Sequence, residues 1–131
     1  MREFELIPAI VAALSGFALG SLWYSPLLFG KAWLRESGVD EARLAAANKP
    51  VIYGLALLLN LVAAIAFSMV ITPDASFFMA FHSGVGIGLF WIATAFGVSY
   101  LFELKSFKLW AINAGYFLGL YTLFGLIFGL M

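Results

Sequence analysis

His82 is the chain's only histidine, and it stands inside a stretch with no formal charge, residues 75–102. An ionisable ring so far from charged neighbours is a functional candidate by default. Three roles are open to it: a neutral ring bonded to Ser68, Thr122 or Tyr121, a proton- or ligand-responsive group, or a cofactor ligand. The last requires further strong ligands. The chain has no cysteine and no second histidine, so neither a metal nor a cofactor is expected. Asn60, Asn113, Tyr53, Thr94, Tyr100 and Tyr116 are further hydrogen-bonding side chains within apolar stretches. With His82 they form a candidate polar core or ligand lining. Catalysis finds little support. Asp74 and Glu103 bound opposite ends of one long stretch and cannot act together on one bond. No phosphate loop, activated serine or His–Glu metal cluster is present, so no catalytic residue is assigned and the chain is not read as an enzyme.

Charge placement defines the elements that must position these groups. Seven acidic and seven basic residues leave four uncharged stretches, 6–30, 50–73, 75–102 and 109–131, which hold 100 of the 131 residues. A helix rises ~1.5 Å per residue, so roughly 20 apolar residues cross a hydrocarbon core ~30 Å thick. All four stretches are long enough. A hydrophobic fraction of 64% with 11% charged residues does not suit a soluble domain, where charged residues make up about 25%. Runs such as 55–59 are continuous, unlike the alternation of a membrane barrel. Backbone groups in lipid must bond within their own segment, which leaves helix. The expectation is an all-α integral membrane protein, a single four-helix transmembrane bundle with spans at about 6–26, 50–72, 76–102 and 109–131. Met1-Arg2-Glu3-Phe4-Glu5 carries more acid than base, so the first stretch reads as a retained helix rather than a cleaved leader. Net charge is zero, which offers nucleic acid no general attraction.

An even number of spans puts both termini on one side of the bilayer. Arg2 is the one basic residue there, whereas Lys31, Arg35, Arg43 and Lys49 occupy the first loop and Lys105 and Lys108 the third. That asymmetry predicts cytoplasmic first and third loops and periplasmic or exterior termini. Trp23, Tyr24, Trp33 and Trp110 fall near the same boundary, at headgroup level. Pro26 is expected to break or kink the first span near Ser25. Residues 27–34 then continue along the interface, with Lys31 and Arg35 reaching for phosphates. Asp40 can cap a short helix over 41–47, and Pro50 opens the second span. The loop 31–49 is a solvated tether or a docking surface.

Helical periodicity of ~100° per residue sorts the faces. In the second span, Val51, Leu55, Leu58, Val62, Ile65 and Met69 form a lipid-facing arc, and Tyr53, Ala56, Asn60, Ala63, Ala64 and Phe67 the opposite one. Small residues mark close helix approach. Gly16 and Gly20 with Ala9 and Ala12 give the first span one such face. The third has two, Ala80, Gly84, Gly88 and Ala95 on one and His82, Gly86, Ala93 and Tyr100 on the other, which makes it the expected centre of the bundle. Gly115, Gly119, Gly125 and Gly129 share an arc of about 120° on the fourth, to be packed within the bundle or across an oligomer. Ala12, Ser15, Gly16, Gly20 and Trp23 recur 68 positions later as Ala80, Ser83, Gly84, Gly88 and Trp91. Duplication into two parallel helix hairpins and mere likeness of packing stripes both account for this.

The string Trp23-Tyr24-Ser25-Pro26-Leu27-Leu28-Phe29-Gly30-Lys31-Ala32-Trp33, with Ile112-Asn113-Ala114-Gly115-Tyr116 in the last span, resembles the small bacterial membrane family catalogued as domain of unknown function 1761. The resemblance covers nearly the whole chain, and Trp-Tyr-Ser-Pro is its most specific part. It implies a four-span protein of the bacterial inner (cytoplasmic) membrane and brings no activity, cofactor or catalytic residue. Physically the string is a span exit: two aromatics, a helix breaker, a tight glycine and a phosphate-seeking lysine.

Two functional readings follow. One is a packing or assembly protein, homo-oligomeric or accessory to another membrane protein. The other is a minimal transporter or binder of a small apolar or aromatic compound, in a pocket lined by phenylalanines, Asn60 and His82. A cavity reaching Asn60 favours the second; a closed bundle with an exposed glycine stripe favours the first.

Overall fold

The computed structural model describes residues 6–71 and 74–131, so Arg2 and the Thr72-Pro73 turn lie outside the described residues. The elements run α1 (Leu6–Trp23), α2 (Gly30–Ser37), α3 (Glu41–Ala46), α4 (Lys49–Val70), α5 (Phe77–Gly86), a π-helical segment (Ile87–Ile92), α6 (Ala93–Phe102) and α7 (Phe107–Leu130). Among the described residues four helices are long and apolar enough to cross a membrane: α1, α4, α7 and the continuous rod Phe77–Phe102. The described residues contain no strand.

Local chemistry sets the starts. Asp40 accepts the Arg43 amide at 2.6 Å, as its sequence position predicts, and Ser76 and Ser106 cap α5 and α7 in the same way. Asn48 caps α4 at 3.2 Å, ahead of Pro50 in the first turn. Such caps contribute ~1 kcal/mol each. At the end of α1 the chain turns through Ser25 and Pro26, and the Gly30 amide donates to Ser25 O at 2.9 Å. A Cβ on Gly30 would strike the Tyr24 carbonyl. Glycine thus lets α2 fold back beside the end of α1.

The bundle is built on α7, not on the third span. α1 packs on one flank of α7 and the Phe77–Phe102 rod on the other, while α4 leans on α1. Eight residues of α7 are buried, among them Leu120, Phe124 and Phe128. The reason lies in the π-helical segment. There the Ala93 amide donates to Gly88 O, five residues back, and this wider turn shifts the helical phase. Ala80, Gly84 and Gly88 are consequently continued by Ala93, Gly97 and Tyr100, all turned toward α7, while Ala95 rotates into the exposed surface. The two small faces read at a constant period are halves of one.

The glycines of α7 likewise serve two neighbours. Cβ atoms on Gly115 and Gly119 would lie 3.0 and 3.1 Å from Trp23 and Leu19 of α1. On Gly125 and Gly129 they would lie 2.5 Å from Ala80 O and 2.9 Å from Phe77, both in α5. A Cβ on Gly84 would strike the Tyr121 carbonyl, and one on Gly16 the Leu120 side chain. The recurring sets beginning at Ala12 and Ala80 therefore flank α7 from opposite sides. They part at the tryptophans: Trp23 donates to Ile112 O at 2.9 Å, whereas Trp91, within the π-helical segment, is 74% exposed.

At the end of the bundle that carries the termini, α1, α4 and α7 close around one core. Phe67 lies 5.9 Å from Phe124 and 5.8 Å from Phe128, and Ala9, Ala12 and Ala64 bring the backbones together. Toward the opposite end, which holds the first and third loops, α4 diverges. Its buried residues are Ala64, Phe67 and Ser68, all in its last two turns.

Candidate functional site

The divergence of α4 leaves a cavity of about 930 Å³ between α1, α4 and α7. Phe17, Gly20, Ser21 and Tyr24 form the α1 wall, at a spacing that puts them on one helical face. Tyr53, Ala56, Asn60 and Ala63 form the α4 wall, and Tyr116, Leu120 and Tyr121 the α7 wall. Trp33 of α2 and Leu44 of α3 line the mouth. Ligand pockets are typically about 300–1,000 Å³, mostly apolar with a few placed polar groups, and this one fits that description.

Polar groups meet at its root. Tyr116 is buried and its hydroxyl donates to Gly16 O at 3.0 Å, joining α7 to α1. Asn60, at the midpoint of α4, lines the same cavity. Its Nδ2 lies 3.5 Å from the point a Gly16 Cβ would occupy, an ordinary contact distance, so the amide stands against α1 at Gly16. Behind the α1 wall, Tyr24 donates to Asn113 Oδ1 at 2.7 Å, and Asn113 Nδ2 donates to the Tyr100 hydroxyl at 2.8 Å. This chain ties α1, α7 and α6 together. Rings stiffen the walls: Phe17 meets Tyr53 edge-on with centroids 6.1 Å apart, and Tyr24 lies 5.6 Å from Tyr116.

The residues singled out in the sequence divide into three groups. Asn60, Tyr53 and Tyr116 line the cavity, as do Tyr24 and Trp33 of the span-exit string. Asn113 and Tyr100 stand behind it as supports. His82 and Thr94 belong to neither. His82 is exposed on the outer face of α5, its Nδ1 2.9 Å from Phe78 O and its ring 4.0 Å from that of Phe78. It does not bond to Ser68, Thr122 or Tyr121; Ser68 and Thr122 instead bond to carbonyls of their own helices. Thr94 likewise bonds to Phe90 O at 2.7 Å and faces outward. Among the described residues no three His, Asp or Glu side chains gather in one place.

Of the arc assigned to protein contact on α4, Ala64 and Phe67 are buried and Asn60 and Ala63 half-buried, but Tyr53 and Ala56 edge the open cavity. Sequence reasoning missed Phe17, Ser21 and Tyr121. The i, i+4, i+7 spacing of Phe17, Ser21 and Tyr24 was the available signal.

The family described as protein of unknown function (DUF1761) matches residues 7–129 of the chain. No curated protein and no solved structure matches it.

Proposed function

We propose a binding function for this chain, which belongs to the DUF1761 family of proteins of unknown function: it holds a small neutral apolar compound within the bilayer, between α1, α4 and α7. The observation that carries the reading is the cavity of about 930 Å³ that reaches Asn60. Among the described residues its lining includes no charged side chain. An ionised ligand would lose its hydration there without a counter-charge, at a cost of several kcal/mol. A neutral apolar body exchanges lipid contact for aromatic contact and gains an amide to orient it. No bond-breaking role is assigned to any residue in this reading, and the Lys- and Arg-bearing end of the bundle is taken to face the cytoplasm.

An assembly role would be favoured by an exposed glycine strip. The glycines of α7 face α1 and α5 instead, so binding is the preferred reading. The test is a titration with the neutral fluorophore N-phenyl-1-naphthylamine in nanodiscs, read as emission sensitised by Trp33 at the mouth. Saturable binding that Ala63→Trp removes supports the proposal; the same non-saturating partition in both proteins refutes it.

A further inference from the structure

The hydrogen-bond economy of the cavity narrows the class of its ligand. Three lining hydroxyls have already spent their hydrogens on the protein: Tyr24 on Asn113 Oδ1 at 2.7 Å, Tyr116 on Gly16 O at 3.0 Å and Ser21 on Phe17 O at 3.0 Å. A hydroxyl has one hydrogen and two lone pairs, so toward the cavity these oxygens can only accept. Asn60 faces the same space with an amide that both donates and accepts, and both it and the Tyr116 hydroxyl meet α1 at Gly16. Where Asn60, Gly16 and Tyr116 meet, the cavity therefore offers an amide beside an acceptor-only hydroxyl, while the Tyr53 and Tyr121 hydroxyls and the Trp33 indole N–H are donors elsewhere on its lining. A hydrocarbon satisfies neither. A ketone or ether meets the donor and leaves the acceptors facing an oxygen.

We infer that the ligand is a neutral hydroxyl-bearing apolar compound, a lipophilic alcohol or phenol, whose O–H bridges Asn60 and the Tyr116 oxygen. The inference rests on the binding reading above and specifies the group that is recognised. One hydroxyl both accepts from Asn60 Nδ2 and donates to Asn60 Oδ1 or Tyr116 Oη. The edge-on Phe17–Tyr53 pair and the Tyr24–Tyr116 pair supply ring faces for the apolar body.

Three matched probes separate the possibilities: 4-nonylphenol, its methyl ether and nonylbenzene. The first donates and accepts, the second only accepts and the third does neither. Each displaces N-phenyl-1-naphthylamine from the wild-type protein in nanodiscs, with affinities corrected for partition into protein-free bilayers. The phenol should bind about five- to tenfold more tightly than the ether, the worth of one hydrogen bond. Asn60→Leu should reduce that ratio below about twofold, and Leu58→Ala on the lipid face should leave it unchanged. The decisive comparison is made within the wild type, so it survives an Asn60 variant that folds poorly. Equal affinity for phenol and ether overturns the inference and leaves the binding reading intact. Failure of all three probes to displace the fluorophore, with Ala63→Trp binding it as the wild type does, overturns both.

Discussion

The Tyr116 hydroxyl donates to the Gly16 carbonyl across 100 positions of sequence, at 3.0 Å. This one bond fixes the distance between α1 and α7 at the point where α4 begins to diverge. Below it, toward the termini, Phe67, Phe124 and Phe128 fill the space between three helices; above it the space is open. Gly16 serves the same approach, because a Cβ there would strike the Leu120 side chain. Tyr116→Phe removes the bond and keeps the ring. Interhelical bonds in membranes average about 0.6 kcal/mol and reach about 1.7. Thermal unfolding in detergent should show a loss in that range, with the bundle still folded.

Glycine contacts against backbone should be less forgiving than those against side chains. A Cβ at Gly125 would meet Ala80 O at 2.5 Å, whereas one at Gly119 meets only the end of the Leu19 side chain at 3.1 Å. Gly125→Ala should therefore cost about 1–3 kcal/mol, the range for overpacking, and Gly119→Ala distinctly less. Similar melting temperatures for the two variants would contradict the placement of α5 on α7.

The turn into α7 contains Leu104 at φ 58°, the one non-glycine residue with positive φ among those described. Its side chain is 92% exposed and contributes little packing. The left-handed region costs a side-chain-bearing residue ~1–2 kcal/mol, and glycine gives back part of that through its freer unfolded chain. Leu104→Gly should stabilise the protein by about 0.5–1 kcal/mol. A lower melting temperature would show that Leu104 makes a contact worth more than its strain.

Orientation has a separate test. With Lys31, Arg35, Arg43, Lys49, Lys105 and Lys108 confined to two loops at one end, a phosphatase fused after Met131 should be active, since that enzyme works only when exported. An active cytoplasm-only reporter at the same site would invert the bundle.

The parts of this architecture legible in the sequence are those governed by a single helix. Four spans, the Asp40 cap and the exposed arc from Val51 to Met69, except Ile65, which packs against the core, follow from charge, capping chemistry and a constant turn. The small faces of α1 and α5 were legible too, and both pack on α7. The centre of the bundle was not, because one π turn between Gly88 and Ala93 changes the phase that the argument assumes constant. His82 misled for a related reason. An ionisable residue in an apolar run is expected to seek a partner helix, yet here Nδ1 finds the carbonyl of its own preceding turn. A pocket at Asn60 was one of two sequence readings, but its walls were not legible because no helix encodes them: the cavity exists only where three helices that pack well at one end fail to meet at the other.

The binding account is tested most directly by mass spectrometry of what copurifies with the protein from its native membrane. Wild type and Ala63→Trp are purified identically and their organic extracts compared. The account predicts a neutral lipophilic compound, near one per chain, that is present with the wild type and absent from the plugged variant. Extracts that are the same for both proteins, differing in no component beyond bulk lipid, would contradict it.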